Sequence, residues 1–427
     1  MVRKIGPMPE GIRENRLDVV FRDRLIGRLW LDERRRFSFQ YDGAWLRDKS
    51  AIPLSLSLPL TSKPYIDDTA RPFFSNLLPE AGIRKIIARR LGISEKNDFS
   101  LLREIGGECA GAVSLVPEGT YESMKPGYRE INEEELNNIV AELPNRPFLL
   151  GEEGTRLSLA GAQNKLPVYM EGERIFIAAG NAPSSHILKP PMPNFEETVE
   201  NEAFCMMLAS RMGLSVPEAS IRVGRPRLFI VERYDRARDD EGRLMRLHQE
   251  DFCQALGILP EHKYESEGGP SLAACFSLLK KNSPSPAADQ KALVMWVVFN
   301  VLIGNADAHG KNLAILYAGR GPRLAPFYDL LCTGVYPDLS DRFAMRIGRE
   351  NRPGWIQPRH WERFSADVGI KPRLIHRIAG DMAQSIVPLS SSFAGEFMDR
   401  YGHSPLVERI VQNIGQAAAS LKTLNGE

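Results

Sequence analysis

The run Asn305-Ala306-Asp307-Ala308-His309-Gly310-Lys311-Asn312 gathers a carboxylate, an imidazole, an ammonium and amides into one short segment. Asp307 and Asn312 stand five positions apart, and Asp329, ending Leu324-Ala325-Pro326-Phe327-Tyr328-Asp329, follows seventeen after Asn312. These types suit phosphoryl transfer to an alcohol. One carboxylate can take the hydroxyl proton. An amide oxygen and a second carboxylate are hard ligands for Mg²⁺, a small octahedral cation that keeps some of its waters. Lys311, beside the base, supplies a point charge for the migrating phosphoryl group. Asn, Asp and Gly are also ordinary turn residues, so a polar turn after a buried helix is the plain alternative.

The same spacing is used by protein-kinase catalytic loops, and upstream segments offer a nucleotide side. Leu157-Ser158-Leu159-Ala160-Gly161-Ala162-Gln163-Asn164-Lys165 contains small residues that let backbone N–H groups approach phosphates, although it matches neither common phosphate-loop pattern. His186-Ile187-Leu188-Lys189 alternates with period two and stops at Pro190-Pro191, which describes a strand. Lys189 aimed inward needs an anion: an ATP phosphate, with Glu202 on the next helix as ion-pair partner and nearby Glu200 as the other choice. Phe229 to Arg236 ends a strand where helical sequence begins, the place of a kinase hinge, although Asp235 and Arg236 read equally as surface ion pairs. His248 to Gly257 opens the helical part, with Gln249 to Asp251 as a helix cap or as nucleotide contacts.

The chain has 427 residues, 43% of them hydrophobic and 26% charged, which predicts a globular protein of two or three domains. A formal net charge of +1 provides no global field toward nucleic acid or membrane. Five scattered cysteines without a Cys-x-x-Cys pair argue for a reducing compartment, buried thiols and no structural zinc. Met1 to Arg16 lacks an apolar signal core. The longest apolar run, Ala292 to Gly304, is interrupted by Asn300 and is too short to span a bilayer, so it predicts a buried helix. A cytoplasmic protein without membrane contact is expected.

The elements that must position these residues follow from periodicity. Leu17 to Phe21, Leu25 to Leu31 and Arg36 to Tyr41 read as an antiparallel meander. After Pro53 the pattern turns helical, with Ile83, Ile86, Ile87 and Leu91 at helical spacing and Arg84, Lys85, Arg89 and Arg90 as a solvated or phosphate-contacting face. Pro117 to Pro147 is an acidic connector with helical sequence from Glu133 to Leu143. From Phe148 to Arg236 strands alternate with one helix, Glu197 to Met212, and beyond residue 237 the chain is mainly helical. Asn282 to Ala288 is the clearest loop. The expected fold is α+β and two-lobed.

Together the motifs Ser-Leu-Ala-Gly-Ala-Gln-Asn-Lys (158–165), His-Ile-Leu-Lys-Pro (186–190), Val-Glu-Arg-Tyr-Asp-Arg (231–236), His-Gln-Glu-Asp-Phe-Cys-Gln-Ala-Leu-Gly (248–257), Asn-Ala-Asp-Ala-His-Gly-Lys-Asn (305–312) and Ala-Pro-Phe-Tyr-Asp (325–329) resemble the HipA family of serine/threonine-protein kinase toxins. Six short motifs in one order across nearly the whole chain make this specific. The resemblance implies a two-lobed, protein-kinase-like fold. Residues 1–120 would form the family's extra β-rich N-terminal subdomain, including Asn-Leu-Leu-Pro-Glu (76–80). Residues 121–236 would form the N-lobe with the ATP-phosphate loop, and 237–427 the helical C-lobe.

It implies Asp307 as catalytic base with Lys311 beside it, and Asn312 and Asp329 on Mg²⁺. Ala160, Gly161, Ala162, Gln163, Asn164, Lys165 and Lys189 would bind the ATP phosphates. Glu232, Arg233 and Tyr234 would lie along the adenine, and His309, Lys311, Asn312 and Tyr328 would complete the pocket. Ser158 would be autophosphorylated, ejecting the phosphate loop and silencing the enzyme. The family's substrates are protein serines, notably in a glutamyl-tRNA synthetase, and its action is growth arrest and persistence. Its partner is a small helix-turn-helix antitoxin (HipB-like), through which the complex binds operator DNA at the nucleoid. Asn164 stands where the family usually has Glu, Tyr234 where Phe is common, and Cys332 where Ser often follows the metal Asp; the first bears on loop mobility.

Three other functions share parts of this pattern. A small-molecule kinase also uses Asp-x-x-x-x-Asn with a later metal Asp, but the N-terminal strands resemble the toxin family instead. A catalytically silent transcriptional co-repressor does not require Lys189, Asp307, Asn312 and Asp329 intact. A metal hydrolase built on Asp307, His309 and Asp329 needs an open coordination position.

Overall fold

The computed structural model describes residues 15–121, 124–151, 156–319 and 321–422. Most of the charged stretch Met1 to Arg16, expected to lack a signal core, therefore lies outside the described residues. The fold is α+β, with two compact units. One comprises the chain to Gln163 together with Pro167–Ser185 and Asp235–His248; the other comprises Asn164–Leu166, His186–Tyr234 and the chain from Gln249.

In the first unit the expected meander is a five-stranded antiparallel sheet. It runs Tyr65–Ile66, Phe37–Tyr41, Arg24–Leu31, Arg16–Phe21, Val113–Pro117. Leu17 and Val19 pair with Leu29 and Gly27 and are fully buried, so period-two alternation places one face on a core with Phe39, Phe73 and Phe74. Helices Asp67–Ser75, Ala81–Leu91 and Asp98–Ile105 follow. Arg84 and Arg90 on the second of these spend their guanidinium groups on Asp98 and on the carbonyl of Asn145, which favours a structural role over a phosphate-contacting one. The acidic connector contains a strand that periodicity did not reveal, Gly127–Ile131, paired with Arg174–Ala179. Its helix, Glu133–Glu142, is capped by Asn132.

Asp235 and Arg236 are buried rather than superficial. Arg236 pairs with Glu108 at 2.9 Å and donates to the carbonyl of Ser184, while Asp235 accepts from Gly111 N–H. A buried guanidinium is tolerated because carboxylates and carbonyls surround it.

The second unit contains the antiparallel strands Ala219–Arg222, Leu228–Glu232 and His186–Lys189, with Phe229 opposite Lys189. The helix Thr198–Arg211 carries an unusual row of buried polar residues, Glu200, Asn201 and Glu202. Helices Leu272–Asn282, Pro286–Ile303, Pro358–Val368, Pro372–Tyr401 and Pro405–Lys422 fill the remainder. The apolar run lies in Pro286–Ile303, which is long and apolar enough to cross a membrane but packs as a core helix against Leu272–Asn282, Pro372–Tyr401 and Pro405–Lys422. The expected loop Asn282 to Ala288 is shorter than anticipated, because Asn282 closes one helix and Pro286 opens the next, where its fixed φ is an asset. Beyond residue 237 there are also short strand pairs, such as Ala314–Ala318 with Gly321–Leu324.

Candidate active site

The core helix delivers the Asp307 segment. Pro286–Ile303 ends on Gly304 at φ 69°, where a side chain would press a Cβ to 2.5 Å from Nδ2 of Asn413, so only glycine fits. Asn305, 1% exposed, donates through Nδ2 to Asn300 Oδ1 at 2.8 Å and accepts the Asp307 N–H at 3.1 Å. Thr333 donates to the Gly304 carbonyl and accepts from Ala306 N–H at 2.7 Å. The loop backbone is thus fixed from both sides before Asp307 is reached.

The Asp307 carbonyl accepts from Asn312 Nδ2 at 3.0 Å and from His309 N–H at 2.9 Å. Spending its amide nitrogen there leaves the Asn312 Oδ1 as the acceptor atom available to a cation. The Asp307 side chain remains 47% exposed, as a base that must meet a substrate should be. Its Oδ1 accepts from the Tyr264 hydroxyl at 2.6 Å, and His309 Nε2 stands 3.9 Å away.

Lys189, buried on its strand, places Nζ 2.6 Å from Glu202 and 2.5 Å from Asp329. Glu202 is therefore the partner, and Glu200 pairs instead with Arg227 at 2.8 Å. Burial alone would depress the Lys189 ammonium, but the two carboxylates more than reverse this and hold it above its usual range. Burial would likewise raise Asp329, yet Lys189 and Lys165 hold its carboxyl well below the carboxylate range. Glu202 is pushed up to about 7 by burial, which Lys189 only partly offsets. One ammonium serves two carboxylates.

Asp329 adopts a left-handed φ of 52°, rare for a residue with a side chain. Tyr328, just before it, donates to the Lys311 carbonyl at 2.6 Å, which ties the Asp329 segment to the one bearing Asn312. Lys311 itself is buried with Nζ 3.8 Å from Asp251. Asp251 caps the helix Phe252–Leu256 in a capping box with Gln254, the first of the two roles anticipated for this stretch. Tyr234 donates to Gln249 and stacks on Tyr328 at 5.6 Å between ring centroids.

Arg233 is buried and Glu232 is exposed at the end of its strand. Ala160, Gly161, Ala162 and Gln163 belong to the first unit, and Asn164 and Lys165 to the second. Asn164 Oδ1 is a buried acceptor without a hydrogen-bond donor among the described residues. Ser158 is fully buried, and its hydroxyl donates to the Leu77 carbonyl at 2.8 Å.

Mg²⁺ and ATP suit these residues. The carboxylate of Asp329 and the oriented amide oxygen of Asn312 are hard donors of the kind Mg²⁺ accepts alongside water and phosphate oxygens. The ammonium of Lys189 is buried beside both Glu202 and Asp329 and adds a cation next to those donors. Tyr264 escaped the sequence reading. It lies in an irregular segment 43 positions before Asp307, with no periodicity or motif to mark it.

Comparison with known proteins identifies the family. Residues 157–389 match the family model described as HipA-like C-terminal domain, and residues 17–116 match the HipA N-terminal domain. The chain is 43% identical over 411 residues to the kinase-designated protein Y4mE of Sinorhizobium fredii NGR234, covering 94% of this chain and 97% of that one. It is 33% identical over 388 residues to the serine/threonine-protein kinase toxin HipA of Shewanella oneidensis MR-1, covering 87% and 88%. The solved complex of a Shewanella oneidensis MR-1 HipA with HipB and operator DNA contains a chain of the same fold, with TM-score 0.79 at 31% identity over 96% of both chains. The protein belongs to the HipA family.

Proposed function

We propose that this protein is an ATP- and Mg²⁺-dependent serine/threonine protein kinase of the non-specific class, acting as the toxin of a toxin–antitoxin module. The observation that carries the reading is Lys189 bridging Glu202 and Asp329, at 2.6 and 2.5 Å. In protein kinases a strand lysine paired with a helix glutamate, beside a metal-binding Asp, marks an assembled phosphate site.

In this reading Asn312 and Asp329 hold the metal, which neutralises charge on the transferring phosphoryl group when bound. Lys189, Lys165 and the Ala160 to Asn164 loop hold the phosphates, while Tyr234 and Tyr328 flank the nucleotide with Glu232 and Arg233 along the adenine. Asp307 accepts the proton of a protein serine hydroxyl as that oxygen bonds to the γ-phosphorus and the bond to ADP breaks. Lys311 and His309 flank the base in the same segment, with His309 Nε2 3.9 Å from it. Ser158 receives a phosphate in self-inactivation. The substrate is a protein serine, with an aminoacyl-tRNA synthetase such as glutamyl-tRNA synthetase as the first to assay.

The solved relative is in complex with HipB and operator DNA. A helix-turn-helix antitoxin of that type, and operator DNA through it, are accordingly the proposed partners in the cytoplasm and at the nucleoid. The near-neutral chain alone should hold non-specific DNA weakly, because affinity for duplex comes largely from phosphate neutralisation.

Intact mass before and after incubation with Mg-ATP tests the reading. A gain of one phosphate by the parent, reduced about 10²–10⁴-fold in rate in Asp307→Asn with Mg-ATP binding retained, is expected. Parental self-modification by Asp307→Asn would remove Asp307 as the base.

A further inference from the structure

After Asp329 the chain forms a hairpin with a basic rim. Phe343 N–H donates to the Asn351 carbonyl at 2.8 Å, and Ile347 and Glu350 exchange backbone bonds at 2.8 and 3.1 Å. Phe343, Ala344, Met345 and Ile347 are buried, whereas Arg342, Arg346 and Arg349 are exposed. The chain reverses at Gly348 and Arg349, with φ of 53° and 75°. Two positive φ values define a type I′ connection, where Asn and Gly are the usual residues. Gly348 has a packing reason, since a Cβ there would lie 2.0 Å from the His360 carbonyl. Arg349 has none. It keeps a cation at the tip in a conformation unfavourable for a side chain, and such outliers gather where a ligand is bound.

Among the described residues the guanidinium groups of Arg342, Arg346 and Arg349 form no salt bridge. Arg352, by contrast, is paired with Glu350 at 2.7 Å and lies 4.0 Å over the ring of Trp355, which is itself 61% exposed. The hairpin is also wired to the candidate base. Ala344 N–H donates to the Ala306 carbonyl at 3.0 Å, and Glu265 N–H donates to the Ala344 carbonyl at 3.2 Å. Arg346 N–H donates to Glu265 Oε2 at 2.6 Å, and Tyr264, adjoining Glu265, touches Asp307.

We propose that the 343–351 hairpin is a docking element for an acidic segment of the protein that this kinase modifies, an inference that rests on the kinase reading above. Exposed guanidinium forks match carboxylates bidentately, and the exposed indole adds an apolar contact; Arg346, which senses the charge of Glu265, contributes less than Arg342 and Arg349. Nucleic acid suits the rim less well, because its affinity grows with the number of phosphates neutralised, and three arginines on a chain of net charge +1 neutralise few.

The test uses the full chain, a short fluorescein-labelled poly-glutamate peptide and a labelled single-stranded RNA of matched charge, read by anisotropy. The parent should bind the peptide, and R342E/R346E/R349E should bind it at least about tenfold more weakly. The corresponding Arg→Gln variant should fall between the two, and it carries the test if charge reversal disturbs folding. With dephosphorylated casein as substrate, KM should rise in these variants while autophosphorylation keeps its parental rate. Parental peptide binding by both variants would overturn the proposal. So would RNA binding tighter than peptide and lost in the variants, or equal losses of autophosphorylation and casein phosphorylation. Anisotropy needs no catalysis, so peptide binding by a chain that never transfers phosphate would defeat the kinase reading, and with it the hairpin's role toward a substrate, whereas lost peptide binding in an active kinase would defeat the docking role alone.

Discussion

The hydroxyl of Tyr264 donates to Oδ1 of Asp307 at 2.6 Å, so one oxygen of the candidate base is already claimed and the other is left for a substrate hydroxyl. With the Asp307 backbone tied to Asn305, His309 and Asn312, this bond fixes the carboxylate orientation. A hydrogen bond to a charged group contributes about 1.5–3 kcal/mol. Tyr264→Phe should therefore lower kcat by roughly tenfold or more, with Mg-ATP affinity and thermal stability nearly unchanged. Steady-state kinetics with separate kcat and KM check this, and an unchanged kcat would make the contact incidental.

Lys189→Met should remove more than a nucleotide contact. It takes the ammonium away from buried Glu202 and from Asp329. Breaking a buried pair ordinarily costs about 3–5 kcal/mol, and the cost here should fall toward the lower end because Glu202 already titrates near 7 and can protonate. Urea denaturation measures the loss of stability, and calorimetry should show Mg-ATP binding gone. A variant as stable as the parent would show that the carboxylates reorganise freely.

Phosphorylated Ser158 cannot stay where the unmodified residue sits. The side chain is fully buried with its hydroxyl on the Leu77 carbonyl, and modification adds about −1.5 to −2 charges beside that acceptor. The 157–165 segment should then gain hydrogen–deuterium exchange, and nucleotide affinity should fall. Ser158→Ala should stay folded and active through repeated turnover. Phosphate mapping only to other residues would discard the switch.

Acid should weaken the fold partly through His248. Burial lowers its pKa to about 4 from 6.5, and Nε2 faces the Leu54 carbonyl at 2.8 Å. A ring neutral in the folded state and protonated in the unfolded one contributes stability that is full above pH 6.5 and lost as pH falls toward 4. The shift corresponds to about 3 kcal/mol across that window. His248→Gln should show a shallower decline of unfolding free energy between neutral and mildly acidic pH. Parallel pH profiles would rule His248 out.

The site's legibility in the sequence follows the range of each interaction. Lys189 could be placed because strand alternation is local, and an inward ammonium before a Pro-Pro stop demands an anion; Glu202 lay only thirteen positions on. The core helix could be placed because its apolar run is continuous. The burial of Asp235 and Arg236 could not, since Gly111 is 124 positions from Asp235, Glu108 is 128 from Arg236, and local charge reads as surface. Tyr264 sits in an irregular segment whose direction is set by the 344–346 backbone, which leaves no periodic trace. The hairpin beyond Asp329 escaped because Gly-Arg occupies a turn where Asn-Gly would have announced it.

All five cysteines are free and buried, and burial raises the thiols of Cys205, Cys275 and Cys332 above their ordinary range. Thiolate, not thiol, reacts with peroxide, disulfides and alkylating agents, so the folded chain offers such reagents almost nothing to attack. Its activity should be indifferent to the oxidative state of its surroundings. A single cysteine introduced on the surface could therefore carry a spectroscopic label without stripping out the native five.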